Sequence, residues 1–244
     1  MISPLLAKLY GIILEKKLSI WLESEGKRAK GQAGFRRQHS TTDHLVTLRI
    51  IVEECCNDKS NLFCCFVDFR KAFDKVPRNN PWSRLEELNV PFELRATAIR
   101  LYENVISKLK SNEGWSKDIK CNIRVQQGCP LSPTLFGIYI DKLEGCLEEA
   151  GCAGTILAGI VIILLLYADD IVLLARCPSD LDKQLRLLKD FCSTMGMSVN
   201  TDKTKVMIIK SKKDTYTNFM YDNSNLEEVS SYKYLGIDIH HKLN

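Results

Sequence analysis

The chain lacks the patterns that mark a secreted, zinc-stapled or membrane-spanning protein. It has ten cysteines but no C-x-x-C pair, so a structural zinc site is not expected. Cys55-Cys56 and Cys64-Cys65 are adjacent, and Cys121, Cys129, Cys146, Cys152, Cys177 and Cys192 are scattered, which makes no disulfide framework. Most lie in apolar contexts, where a free thiol behaves as a small hydrophobe. Such usage points to a reducing, intracellular compartment, nucleus or cytoplasm. Histidine is scarce: His39, His44, His240 and His241 are the only four. None forms a ligand or triad pattern with Ser or Cys, and all are assigned to surface or helix-end positions. No secretory signal is visible, because Lys8, Glu15, Lys16 and Lys17 interrupt the N-terminal apolar residues. Internal repeats and low-complexity tracts are missing. Neither sign of charge dominates: the net charge is +4 over 244 residues. That mild basic bias is compatible with nucleic acid without being diagnostic.

What is present is a composition of 45% hydrophobic and 26% charged residues, ordinary for a globular protein with a sizeable core. One long apolar run, residues 157–175, has the length of a membrane span, but it contains Asp169 and Asp170. Each would cost about 3 kcal/mol near the centre of a spanning helix. The better reading is a buried β-hairpin, LLLYADDIVLLA (164–175), with paired carboxylates at its tip. Carboxylates beside a core are costly unless a cation meets them, and a divalent ion held by oxygen ligands is a direct solution.

Periodicity predicts a helix over 4–22 with Leu5, Leu9, Ile12, Ile13 and Leu18 on a stripe. A basic, glycine-containing loop follows over 26–37. Thr41, Thr42 and Asp43 are N-cap candidates for a helix facing inward with Leu45, Leu48, Val52 and Cys55. LFCCFVD (62–68) reads as a buried strand ending in a carboxylate. Pro81 and Pro91 suit helix starts, the second helix carrying Leu94, Ala98, Leu101, Val105 and Leu109. Ile119, Cys121, Ile123 and Val125 alternate as in a strand. Ser132-Pro133 opens a helix that Gly151 closes, and Ser179 with Asp182 opens another that Gly196 ends. Short strands are expected at 206–209 and 234–239. The mixed order predicts an α+β fold, a sheet with helices on one face.

Asp68 and the pair Asp169-Asp170 each end a buried strand about 100 residues apart. If those strands are neighbours, three carboxylates converge at one sheet edge. That is a cage suited to two hard cations about 4 Å apart, as used for nucleotidyl transfer. The alternative is a turn-capping Asp68 and a merely polar hairpin tip.

Several segments together are similar to a known family. FVDFRKAFDKV (66–76), QGCPLSPTLF (127–136), YADDIVLLA (167–175), GMSVNTDKTKVM (196–207), YKYLGIDI (232–239) and GQAGFRRQHSTTDHL (31–45) occur in family order with family-like spacing. They resemble the reverse transcriptase domain of non-LTR (LINE-type) retrotransposons, and the resemblance covers nearly the whole chain. It implies an RNA-directed DNA polymerase with the antiparallel palm of a right-hand polymerase and partial fingers. Residues 1–60 would be partial fingers and 61–244 palm, ending at the primer-grip region. Further fingers sequence and a thumb would then lie outside the chain.

The resemblance also implies roles by position. Asp68, Asp169 and Asp170 would hold two Mg²⁺ (or Mn²⁺) ions, and Lys203 would be the lysine suspected of protonating pyrophosphate. Phe73 would be the steric gate against a ribose 2′-hydroxyl. Gln127, Gly128 and Tyr167 would lie against the nucleotide, template or primer end. Arg36, Arg37 and Lys71 would contact phosphates, with Lys27, Arg28 and Lys30 in the same basic cluster. Tyr234, Leu235 and Gly236 would support the primer strand. RNA template, DNA primer and dNTP are the implied partners. Two other readings are a catalytically silent remnant that only binds nucleic acid, and another palm polymerase such as a group II intron maturase or an RNA-dependent RNA polymerase.

Overall fold

The computed structural model describes residues 5–72, 79–102, 106–107, 110–111, 114–117, 119–120, 128–209 and 218–241. Helices α1 (Leu5–Ser24) and α2 (Thr41–Asn57) precede strand β1 (Leu62–Val67). Then come α3 (Asn79–Glu87), α4 (Phe92–Tyr102) and the short strands β2 (Ile106–Ser107), β3 (Lys110–Ser111), β4 (Gly114–Trp115) and β5 (Ile119–Lys120). Helices α5 (Ser132–Ile140) and α6 (Lys142–Glu149) lead into β6 (Thr155–Leu157), β7 (Ile160–Ile162), β8 (Leu164–Tyr167) and β9 (Asp170–Ala175). Helix α7 (Pro178–Met195) and β10 (Lys205–Ile209) follow. The last strands are β11 (Met220–Tyr221), β12 (Ser224–Asn225), β13 (Glu227–Glu228), β14 (Ser231–Tyr234) and β15 (Ile237–His240).

The chain forms two compact units, each made of two stretches: Met1–Arg28 with Phe73–Tyr139, and Ala29–Ala72 with Ile140–Asn244. In the first unit α1 packs on α4. The helix predicted over 4–22 is present, but its inward stripe is Leu14, Leu18 and Leu22, while Leu5, Leu9, Ile12 and Ile13 are exposed. The segment is apolar almost all round, so periodicity alone does not choose the stripe. Helix α4 buries Ala98 and ends at Tyr102, whose hydroxyl lies 2.7 Å from that of Ser132. Val105, Leu109, Cys121, Ile123 and Val125 lie outside the described residues.

The second unit holds a five-stranded sheet of order β13-β10-β1-β9-β8. Its centre is antiparallel: β1 pairs with β10 on one edge and β9 on the other. All six residues of β1 are buried, so both faces of the strand are covered. One face carries Leu62, Cys64 and Phe66 with Val172, Leu174, Met207 and Ile209, under Leu48, Ile51, Val52 and Cys55 of α2. The alternate residues Phe63, Cys65 and Val67 point the other way. There Phe63 meets Phe219 edge-on at 5.8 Å, and α7 packs against β1 and β9 with Leu181, Leu185, Leu188 and Cys192 buried. Helices therefore cover both faces, not the single face expected. The continuous apolar run of β1 is itself the signature of two-sided burial.

Other boundaries moved for local reasons. Ser40, extended, precedes α2, and the Asp43 carboxylate accepts its backbone N–H at 2.7 Å. Helix α7 starts at Pro178 behind Cys177, not at Ser179, because proline suits a first helical turn. It ends at Gly196 with a left-handed φ of 68°. The helix expected from Ser132 to Gly151 is broken into α5 and α6 at Asp141. Residues 234–239 turn back on themselves, Leu235 and Gly236 forming the tip between β14 and β15. None of the nine described cysteines is in a disulfide. Among the described residues no helix is long and apolar enough to cross a membrane.

Phe66 stacks on Tyr232 at 4.3 Å and leans on Tyr234 at 5.7 Å between ring centres. Phe66→Ala is expected to lower the unfolding free energy by about 3–5 kcal/mol. Urea denaturation checks this, and a loss under about 1 kcal/mol would mean that the ring is not a core element.

Candidate active site

Strands β8 and β9 pair through Leu164↔Leu173 to Tyr167↔Asp170, leaving Ala168 and Asp169 as a two-residue turn. Ala168 has a φ of 60°, at the position where such a turn ordinarily takes glycine. A side chain there costs about 1 kcal/mol, so the surroundings must hold it. β1 pairs with β9 up to Val67↔Ile171, and the same register sets Asp68 opposite Asp170. Both continue the face of Phe66 and Val172, since side chains alternate along a strand.

The backbone of Asp68 is clamped by the segment before β10. Its N–H donates to Thr204 Oγ1 at 3.1 Å, and its carbonyl accepts from the Asn200 N–H at 2.7 Å. Phe69 bridges Val199, and the Arg70 N–H donates to the Ser198 carbonyl at 2.8 Å. Lys203 is exposed in the turn of this clamp, beside Thr204. Sequence and structure thus bring Asp68, Asp169, Asp170, Tyr167 and the Lys203 turn to one end of one sheet.

The charges there oppose one another. Desolvation at the sheet end raises the Asp169 carboxyl above its ordinary range, and the charge of Asp68 adds to the rise. Desolvation also raises Asp170, reinforced by Asp169 and then Asp68. Among the described residues no group of three His, Cys, Asp or Glu side chains is gathered tightly enough to enclose an ion. Asp68, Asp169 and Asp170 nonetheless share one end of the sheet. Their donor chemistry, oxygens only, fits a hard divalent cation.

A strap, residues 31–34, runs along the outer edge of β8. The Leu166 N–H donates to the Gly31 carbonyl at 2.7 Å, and the Ala33 N–H donates to the Leu166 carbonyl at 2.9 Å. Gln32, fully buried, accepts at Oε1 from the Ala168 N–H (3.1 Å) and the Gly34 N–H (2.8 Å). Its Nε2 donates to Asp141 Oδ1 at 3.1 Å. Glu144 accepts from the Gly31 N–H at 3.0 Å, and burial raises its carboxyl to about 6 against that hydrogen bond. Sequence reasoning missed Gln32, Asp141 and Glu144. The available signals were two glycines bracketing a glutamine and a lone carboxylate ending the apolar helix SPTLFGIYI.

The remaining expected residues divide. Phe73 and Gln127 lie outside the described residues. Gly128, in the first unit, is exposed with a φ of 92°. Arg37 and Lys71 are exposed, whereas Arg36 is half-buried and its Nη1 donates to the carbonyls of Ala29 and Gln32. Arg28 is buried against Gly137, which removes it from the exposed basic cluster. The Tyr234 ring is buried, leaving Leu235 and Gly236 to present the tip of the hairpin. His44 corrects the surface assignment: it is 6% exposed, its Nδ1 is 3.4 Å from Tyr234 Oη, and its ring meets Tyr167 edge-on at 6.2 Å.

The family model for reverse transcriptase (RNA-dependent DNA polymerase) matches residues 6–239. The chain belongs to the reverse transcriptase family. Among similar curated proteins is the Retrovirus-related Pol polyprotein from type-1 retrotransposable element R2 of Nasonia vitripennis. The two are 25% identical over 84% of this chain and 21% of that protein. The RNA-directed DNA polymerase from mobile element jockey of Drosophila funebris is 26% identical over 85% of this chain and 23% of that protein. This reverse transcriptase domain therefore spans about a fifth of the length of such relatives. A telomerase structure from Candida tropicalis, in complex with a fragment of telomeric RNA, shares the fold with a TM-score of 0.65. It is 15% identical over 93% of this chain and 36% of that one. The family uses divalent metal ions and acts on RNA templates, consistent with an acidic sheet end.

Burial lowers the His44 pKa in this reverse transcriptase domain to about 4, against the pull of Asp43 and a hydrogen bond to the Gly31 backbone. The unfolded chain, with an ordinary value near 6.5, takes up a proton that the folded chain refuses. Stability is therefore full above pH 6.5 and falls as the pH drops toward 4, by at most about 3 kcal/mol. Glu144, raised to about 6, works with the opposite sign, so the test is a difference. His44→Gln is expected to flatten the acid-side loss relative to the parent chain in urea titrations from pH 7 to 4. Parallel curves would show that His44 titrates freely.

Proposed function

We propose that this domain carries out RNA-templated DNA synthesis within a retrotransposon protein of the non-LTR type. The observation that carries this reading is the placement of Asp68 opposite Asp170, with Asp169 at the adjoining turn, at the end of one rigid sheet. The primer 3′-hydroxyl attacks the α-phosphate of a dNTP, a P–O bond forms, and the bond to pyrophosphate breaks. Two Mg²⁺ (or Mn²⁺) ions bound by Asp68, Asp169 and Asp170 would supply charge neutralisation and a more acidic attacking hydroxyl. Thr204 and Asn200 fix the Asp68 backbone, and the β8–β9 turn fixes Asp169.

The other roles follow the family motifs. Phe73 gates the sugar, Gln127 and Gly128 face the template and nucleotide, and Tyr167 packs near the primer end. Lys203, exposed beside the Asp68 clamp, is free to reach a leaving pyrophosphate. Arg37 and Lys71 contact phosphates, while Arg36 serves the loop that carries Arg37. Leu235 and Gly236 present the primer grip, with Tyr234 supporting it from inside. Residues 1–60 are assigned to partial fingers and 61–244 to palm. An intracellular site, nucleus or cytoplasm, suits the unpaired buried thiols.

Primer extension on an RNA template with Mg²⁺ tests the proposal. The chain is expected to incorporate dNTPs in preference to rNTPs. Asp68→Ala and Asp169→Ala should each cost roughly 10³-fold or more in rate while circular dichroism shows an intact fold. Extension by either variant at the parent rate would sink the carboxylate assignment. RNA binding without any Mg²⁺-dependent product would favour a chain that only binds nucleic acid.

A further inference from the structure

We propose that Gln32 is a positioning residue for the reaction: its buried side-chain amide sets the turn that carries Asp169. The inference rests on the polymerase reading for its kinetic consequence but not for its structural one. The turn needs an external support, because Ala168 sits at a φ of 60° and its N–H points away from the β8–β9 ladder. That N–H is met by Gln32 Oε1 at 3.1 Å. The same oxygen accepts from the Gly34 N–H at 2.8 Å, so a single atom joins the strap to the turn.

The amide cannot flip without penalty. Gln32 Nε2 donates to Asp141 Oδ1 at 3.1 Å, and Asp141 Oδ2 accepts from the Ala29 N–H at 3.3 Å. A carboxylate on one side and two N–H donors on the other fix which end of the amide is oxygen. Nor can the strap be thickened at its glycines. A Cβ on Gly31 would lie 2.7 Å from the Leu164 carbonyl oxygen, and a Cβ on Gly34 would lie 2.3 Å from the Ala168 nitrogen. Both glycines are thus required by the closeness of the approach. Glu144 accepts from the Gly31 N–H at the start of the strap, and Arg36 Nη1 donates to the Ala29 and Gln32 carbonyls. The chain Asp141–Gln32–Ala168 leads to the backbone of Asp169 and stops there. Gln32 itself, fully buried, touches no substrate.

A carboxylate displaced by a fraction of an ångström loses rate before it loses binding. Gln32→Met keeps the length and volume and removes both hydrogen-bonding groups. It is expected to lower kcat for single-nucleotide addition about tenfold to a hundredfold. The KM for dNTP and the Kd for primer–template should stay within about threefold, because neither is bound by the turn backbone. Gln32→Glu alone sets two carboxylates face to face and should be worse. Pairing it with Asp141→Asn reverses donor and acceptor, since the new amide can donate to the new carboxylate and still accept from the Ala29 N–H. That double variant should recover most of kcat, which a general loss of packing would not allow. A kcat for Gln32→Met within twofold of the parent, or no recovery in the double variant, would overturn the proposal.

Amide hydrogen exchange separates this failure from failure of the polymerase reading. Even in a chain that makes no product, Gln32→Met should speed exchange at Ala168 at least tenfold while Leu165 and Leu173 keep their protection. Unchanged exchange at Ala168 would overturn the proposal whatever the activity.

Discussion

Burial of β1 on both faces, with hydrogen bonds on both edges, is the constraint on which the second unit depends. A strand so enclosed has no freedom of register: a slip of one residue would exchange its two apolar faces and break two ladders at once. Asp68 is the first residue beyond that locked segment. Its place is therefore set by the core, and Thr204 and Asn200 need only orient what β1 delivers. The β8–β9 hairpin gains its place in the same way, because β9 is the neighbour of β1.

The tip of the hairpin obeys a different rule. The apolar pairs of the hairpin end at Leu166 and Ile171, and the turn beyond them, where Ala168 is itself buried, holds a conformation that alanine disfavours. Strain of this kind persists only where surrounding contacts over-determine it. Here they come from the edge of the sheet. The strap also covers the open side of β8, which would otherwise present unpaired N–H and C=O groups. One short segment thus ends the sheet and braces the turn.

Most of the architecture was readable where hydrophobic pattern decides it. The buried runs at β1, β8 and β9, the inward stripe of α7 and the glycine at its end are all set by local chemistry. The inward face of α1 was not readable, since Leu5, Leu9, Ile12 and Ile13 are as apolar as the residues that are buried. Two-sided cover of the sheet was implied by LFCCFV but drawn as one-sided. Within the site, the carboxylates announced themselves because charge beside a core is costly. Gln32 and His44 did not, because a neutral amide or imidazole is cheap at the surface and gains meaning only from partners distant in sequence. The β14–β15 turn hid for the same reason: Leu235 carries a positive φ that leucine does not advertise.

The twin cysteines of β1 have a chemical consequence of their own. Cys64 lies under α2 and Cys65 on the opposite side of the sheet, both fully buried. Burial raises the Cys64 thiol well above its ordinary range and pushes Cys65 up to about 12. The thiolate is the reactive form, so neither sulfur is open to alkylation or oxidation while the sheet is closed. Two side chains that could have been liabilities instead become internal witnesses, chemically silent until β1 parts from its neighbours.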